Sequence, residues 1–259
     1  MGFFYFDESI HERGGFIVGA FVYDDRDLTP AVFEALAEAG LQPEVDEFKS
    51  SAEMAAQPEQ AKAREHLRGL LNAVSTGVVV IPAARRESLG DEAITGLAKI
   101  LQKNQLDAVP HKVFVDQGIT VSGAARETFD DGPGALCELH LNQDSRLIGG
   151  IQLADLAAHS MSVMLLEQLG LVKKMVKAGE NSGYDPELDI ELGFELWASL
   201  RYSFFKAPQP KPGPIPDDPV GELMFDVESY GLHIAASCEE KLREAALLRF
   251  GKCYLGCIH

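Results

Sequence analysis

Phe3-Phe4-Tyr5-Phe6 is a run of four aromatics, apolar in both of its alternating registers. A strand with one wet face alternates polar and apolar residues, whereas one apolar on both faces belongs inside a sheet covered on each side. The run therefore predicts a central strand in a layered fold. Gly14-Gly15 marks a turn, and Phe16 to Tyr23 reads as a second strand, so the chain opens with an antiparallel hairpin. Thr29-Pro30 starts a helix through about Ala39, with the threonine as N-cap and Gly40 as stop. A helix over 58–74, a strand at Gly77 to Ile81, a helix over 91–105 and a strand at His111 to Val115 follow. Residues 118–134 read as loop and Leu136 to Leu141 as a last strand. A long apolar helix spans Ile151 to Leu169, and another runs from Pro186 to Leu200 with Ile190, Phe194 and Trp197 on one face. An opening hairpin followed by alternating helices and strands makes an α/β fold, a mixed sheet flanked by helices.

Six of the twelve residues from Pro208 to Pro219 are proline, which excludes helix and ladder and predicts an extended strap. The expected organisation is a main domain over 1–205, a proline-rich linker over 206–219 and a C-terminal appendage over 220–259 with a helix at 238–250. At 259 residues the chain is long enough for one substantial core. No apolar run reaches the ~20 residues needed to span a bilayer. The opening residues lack the basic flank and cleavage site of a signal peptide. Four cysteines in this length do not make a disulfide scaffold, so a reducing cytoplasm is the expected compartment. With 23 basic against 40 acidic side chains the net charge is −17, which opposes generic tight binding to a phosphate backbone. A chain this acidic would meet a polyanion only with the help of a partner protein or through self-assembly.

Two strands run into acids in the same way: Phe6 into Asp7-Glu8-Ser9, and Val115 into Asp116. Parallel strands share one rim at their carboxyl ends, where α/β sheets place their sites. Two aspartates there repel unless one is protonated or a cation lies between them; strand-end aspartates also simply begin turns. On the long helix, Gln152, Asp155 and His159 fall on one face at i, i+3 and i+7, a polar stripe turned either to the sheet rim or to solvent. Asp46-Glu47-Phe48-Lys49-Ser50 reads as a charged loop before a helix. Four acids from four segments, Asp7, Glu47, Asp116 and Asp155, are what a two-metal phosphodiester site requires, with Mg²⁺ or Mn²⁺ on hard oxygen ligands. The chain has neither a P-loop nor a Rossmann fingerprint, and it lacks G-x-S-x-G and H-E-x-x-H.

Phe6-Asp7-Glu8-Ser9, Glu47-Phe48-Lys49-Ser50, Val115-Asp116 and the stretch from Ser145 through Gln152-Leu153-Ala154-Asp155-Leu156-Ala157 resemble the domain of unknown function 3800, a branch of the RNase H-like superfamily whose members occur among mobile-element and phage-defence genes. The resemblance covers roughly residues 3–205. It departs where Ile10 follows Ser9, since the motif usually continues with glycine. The resemblance implies an RNase H-like sheet of five strands with the first and fourth adjacent, and a final helix carrying the last aspartate across them. It makes Asp7, Glu47, Asp116 and Asp155 the metal ligands, with Glu8 and Asp144 in reserve. Lys49 would contact a phosphate or balance the carboxylates, and His159 would shuttle a proton or sit on the helix surface.

The expected activity is a Mg²⁺- or Mn²⁺-dependent nuclease acting on DNA or RNA. Its rivals are a catalytically silent interaction subunit that docks partners through its acidic surface, and a metal-dependent phosphohydrolase acting on a nucleotide. Cys253-x-x-x-Cys257-x-His259, with Cys238, has the residue types of a zinc site without knuckle spacing. The six acids between Glu180 and Glu195 read as a solvated helix face or a docking surface for a basic partner. Lys173 to Lys177 and the stretch from Arg201 to Lys211 are the basic segments able to guide a nucleic-acid backbone.

Overall fold

A computed structural model, which describes residues 1–180, 182, 184–208 and 223–256, puts the aromatic run in the middle of a sheet. The first half of the chain forms β1 (Gly2–His11), β2 (Phe16–Asp24), α1 (Thr29–Ala39), α2 (Pro58–Leu71), β3 (Ser75–Pro82), α3 (Leu89–Lys103) and β4 (His111–Asp116). Next come α4 (Gly123–Asp130), β5 (Cys137–Gln143), α5 (Gly149–Gln168), β6 (Met175–Lys177), β7 (Asp189–Glu191) and α6 (Leu192–Leu200). Beyond the strap lie β8 (Met224–Asp226), β9 (Leu232–Ile234), α7 (Glu240–Phe250) and β10 (Lys252–Tyr254).

The main sheet has the order β5-β4-β1-β2-β3-β9. β1 pairs antiparallel with β2 and parallel with β4, so the opening hairpin and a crossover strand flank it. Phe4, Tyr5 and Phe6 have no exposed surface. On one face Tyr5 stacks on Phe114, with ring centroids 5.6 Å apart, beneath α5. On the other, Phe6 meets Phe21 at 4.5 Å, and the small Gly77 leaves room for Ile100 of α3. The sheet is thus sandwiched between α5, with the helices packed on it, and α3.

α5 approaches the sheet through Gly150, whose missing side chain leaves the space that the Tyr5 ring fills. A methyl there would run into the ring, and the ring is held by Phe114 behind it. Gly150→Ala is therefore expected to lower stability by about 1–3 kcal/mol, the usual cost of overpacking. Urea unfolding checks it, and an unchanged midpoint would show that Tyr5 has room to move.

Several expectations need correcting. β1 does not end at Phe6; it continues to His11, so Ile10 lies within a strand and the turn comes at Gly15, with φ +70°. Thr29 is not the N-cap of α1: Leu28 holds that position, and Asp27 Oδ1 accepts from the Thr29 N–H at 2.9 Å and the Tyr5 hydroxyl at 2.7 Å. The stretch 118–134 contains α4, capped by Ser122, whose N–H and hydroxyl are both held by Asp91 at 2.8 Å. That long-range grip organises a segment whose local sequence reads as loop. The helix expected from Pro186 begins only at Leu192, because Asp189–Glu191 pairs with Met175–Lys177 as a hairpin. Ile190 is consequently a strand residue, while Phe194 and Trp197 remain helical neighbours at 6.0 Å.

The segment after the strap supplies α7 as expected, but it also adds β9, parallel to β3, as a sixth strand of the main sheet. From residue 209 onward the proline strap lies outside the described residues, as do Cys257 and His259. Cys253 is buried, and the buried Cys238 directs its thiol to the Val80 carbonyl at 3.5 Å. Among the described residues no helix is long and apolar enough to cross a membrane.

Candidate functional site

In the parallel pairing of β1 with β4, Phe6 lies opposite Val115, so the next residues along, Asp7 and Asp116, leave neighbouring strands at the same level. Adjacent strands are ~4.8 Å apart, which forces the two carboxyls together. Asp7 shares the face of Tyr5, the face that α5 covers, and Asp155 comes down on it from that helix. The stripe of Gln152, Asp155 and His159 is turned inward: Gln152 is buried, and the other two are half-buried. Low exposure and mutual repulsion dominate the electrostatics. Burial raises the Asp7 carboxyl well above its ordinary range, and Asp116, Asp155 and Glu8 raise it further. Asp116 and Asp155 are also raised by burial and by the nearby Glu47, against a partial pull from Lys49.

Glu47 reaches the cluster on the loop before α2. Its Oε1 accepts from Lys49 Nζ at 2.6 Å and from the Ser145 hydroxyl. Burial works against the charge of Lys49, but Glu47, Asp155 and Asp116 together hold its ammonium above the ordinary lysine range. Lys49 therefore occupies the position of balancing cation. Asp155 is gripped by the next residue, its Oδ2 accepting from the Ser50 N–H at 2.8 Å and its Oδ1 from the Ser50 hydroxyl at 2.6 Å. Arg64 of α2 closes the same loop by donating to the Ser50 carbonyl.

Gln152 explains why two remote loops meet here. Its Oε1 accepts from the Phe48 N–H at 2.7 Å, and its Nε2 donates to the Ser145 carbonyl at 2.8 Å. One buried amide thus ties the Glu47 loop to the turn before α5. Gln152→Leu leaves both backbone groups buried without partners, an expected cost of about 2–5 kcal/mol. A stability loss of that size, measured by urea unfolding, is the predicted result; a loss below ~0.5 kcal/mol would mean that water replaces the amide.

The reserve ligands stand at the edge of the cluster, each drawn partly away from it. Asp144 is clasped by Arg146, with Nε to Oδ1 at 3.0 Å and Nη2 to Oδ2 at 2.7 Å, and that guanidinium lowers its carboxyl. Glu8 lines a cleft beside α3 on the other side of β1, but its charge still bears on Asp7, and Asp116 and burial raise its own carboxyl. His159 is not a surface histidine: burial, with Arg64 and His11 nearby, lowers it to about 4, so it is neutral near pH 7. Of the two basic segments, Lys173 and Lys174 stay exposed, Lys211 lies outside the described residues, and Arg201 and Lys177 are engaged within the protein. Arg201 is buried, donating to the Tyr254 and Gly256 carbonyls at 2.9 and 3.0 Å, and Lys177 pairs with Asp189 at 3.1 Å.

Sequence reasoning missed the roles of Ser50, Arg64 and Ser145. Ser50 and Ser145 stood inside quoted motifs, but a serine's hydrogen-bond partner across a fold has no sequence signal. Arg64 lies on a helix that reads only as amphipathic.

The donor chemistry of the cluster, carboxylate oxygens that repel one another in a half-buried rim, fits a hard divalent cation. The oxygens of Glu47 and Asp155 are engaged by lysine and serine donors, and among the described residues no group of three or more His, Cys, Asp or Glu side chains stands ready around a metal position. No protein-family model matches the chain, and no curated protein matches it.

Proposed function

We propose that the chain is a metal-dependent nuclease of RNase H-like build, related to the domain of unknown function 3800. The observation that carries this reading is the convergence of Asp7, Asp116 and Asp155 from two parallel strands and one helix, with Glu47 and Lys49 at their edge. β1 lies beside β4, the adjacency the motif resemblance implies, in a sheet that β9 extends to six strands, and this supports the reading. Asp7 and Asp116 would anchor Mg²⁺ or Mn²⁺, and Glu47 and Asp155 would complete the shell. The metal supplies an activated water and charge neutralisation for the leaving oxygen. Ser50 holds the Asp155 carboxylate in orientation through two hydrogen bonds. Lys49, released from Glu47, is placed to meet a phosphate oxygen. Neutral His159 stands one turn along α5 as a proton carrier.

A second reading, a catalytically silent interaction subunit, is favoured by the engaged state of the carboxylates and by the lack of a ready three-ligand group among the described residues. End-labelled single- and double-stranded DNA and RNA, incubated with and without Mn²⁺, separate the two. The nuclease reading expects cleavage that requires Mn²⁺ and disappears in Asp116→Asn. No cleavage of any of the four substrates, together with no Mn²⁺ binding by calorimetry, would select the interaction subunit.

A further inference from the structure

Glu8 follows Asp7 and so leaves β1 on the other face of the sheet, the α3 side. There it lines a cleft of about 280 Å³ with Arg86, Leu89, Gly90, Ile119 and Thr120. One of its carboxylate oxygens, Oε2, is buried without a hydrogen-bond partner. Such an oxygen is costly to leave unpaired, so the arrangement suits a ligand that brings donors. Leu89 and Ile119, buried apolar residues, form part of the cleft wall. Gly90 is essential to the shape, because a side chain there would strike the Thr120 carbonyl. Arg86 is exposed at the rim, and Glu87, the other acid beside the cleft, pairs with Arg85 at 3.2 Å.

A carboxylate takes two parallel N–H donors, and an arginine takes two parallel acceptors. Guanine presents both sets: N1–H and the N2 amino group on one edge, O6 and N7 on another. Adenine and cytosine would turn a ring-nitrogen acceptor toward the carboxylate, and uracil or thymine would flank their one N–H with carbonyls. We infer that the Glu8 cleft is a base-reading subsite that takes one unpaired guanine of the strand held at the carboxylate cluster, with Glu8 accepting from N1–H and N2–H and Arg86 donating to O6 and N7. The role of the strand rests on the nuclease reading, but recognition of the base can be measured without it.

The test titrates full-length protein with guanosine 5′-monophosphate and adenosine 5′-monophosphate, then maps cut sites on a single strand of mixed sequence. GMP is expected to bind about tenfold tighter than AMP, the usual discrimination of one bidentate pair. Glu8→Gln should erase that difference by putting an amide donor against N1–H. Arg86→Ala, at an exposed position that leaves the fold intact, should weaken GMP several-fold. Equal affinities for the two nucleotides, or GMP binding indifferent to both substitutions, would overturn the subsite. Cuts spread evenly over all four bases would also overturn it while leaving the nuclease reading in place. GMP selectivity that responds to both substitutions, without cleavage of any strand, would keep the subsite and remove the nuclease.

Discussion

Asp7→Asn should abolish metal-dependent cleavage, by on the order of 10³-fold or more, and at the same time make the metal-free protein more stable at neutral pH. The first effect follows if Asp7 anchors the metal, because losing several kcal/mol of transition-state stabilisation costs that factor. The second follows from linkage. Burial, then Asp116, Asp155 and Glu8, raise the Asp7 carboxyl in the folded protein, so the folded state keeps its proton to a higher pH than the unfolded chain does. Stability is therefore greatest below the unfolded value and falls as pH rises through it toward the folded value. Asparagine imitates the protonated form and removes this fall, so the two proteins should melt together in acid and diverge toward neutrality, with Asp7→Asn the higher. Thermal melts across the range from acid to neutral pH read the difference directly. A variant that melts lower than wild type at neutral pH would show that the Asp7 charge is compensated within the protein, and the reading of a repelling cluster would fall.

Mn²⁺ should raise the melting temperature of the wild type by roughly 5–10 °C at about a hundred times its dissociation constant. Binding only to the folded state adds about 2.7 kcal/mol under those conditions, and each kcal/mol moves a chain of this size by roughly 2–4 °C. The increment should vanish in Asp116→Asn and in Asp155→Asn, whose carboxyls are the other two raised by burial within the cluster. Lys49 competes for the same charges, since Glu47, Asp155 and Asp116 all favour its ammonium. A rise of equal size in all three proteins would place the metal elsewhere.

Local pattern carried much of the fold. The aromatic run, the Gly14-Gly15 turn, the apolar stretches at β2, β3 and β4 and the long helix are each set by residues close in sequence, so period and punctuation alone locate them. α4 and the β6–β7 hairpin were not legible, because one depends on Asp91 holding Ser122 across 31 residues and the other on pairing between two three-residue strands. β9 was hidden for the same reason: a three-residue strand has too little pattern to declare itself until β3 offers it an edge.

The candidate site divides in the same way. Strand ends singled out Asp7 and Asp116 and an apolar helix singled out Asp155, whereas Glu47 read locally as part of a charged loop and gained its role from the four-acid set and the motif resemblance. Whether those acids meet depends on the parallel register of β1 with β4 and on the close seat of α5 over Tyr5, which are tertiary facts. The structure alone also sent Glu8 to the opposite face from Asp7, because a strand turns successive side chains to opposite sides. It tied Asp144 to Arg146, and it used Gln152 to bring the Glu47 loop to the Ser145 turn. Sequence determines which groups are costly to bury, since that cost belongs to the side chain; only the fold decides which partner each group meets, because hydrogen bonds and charges act through space rather than along the chain.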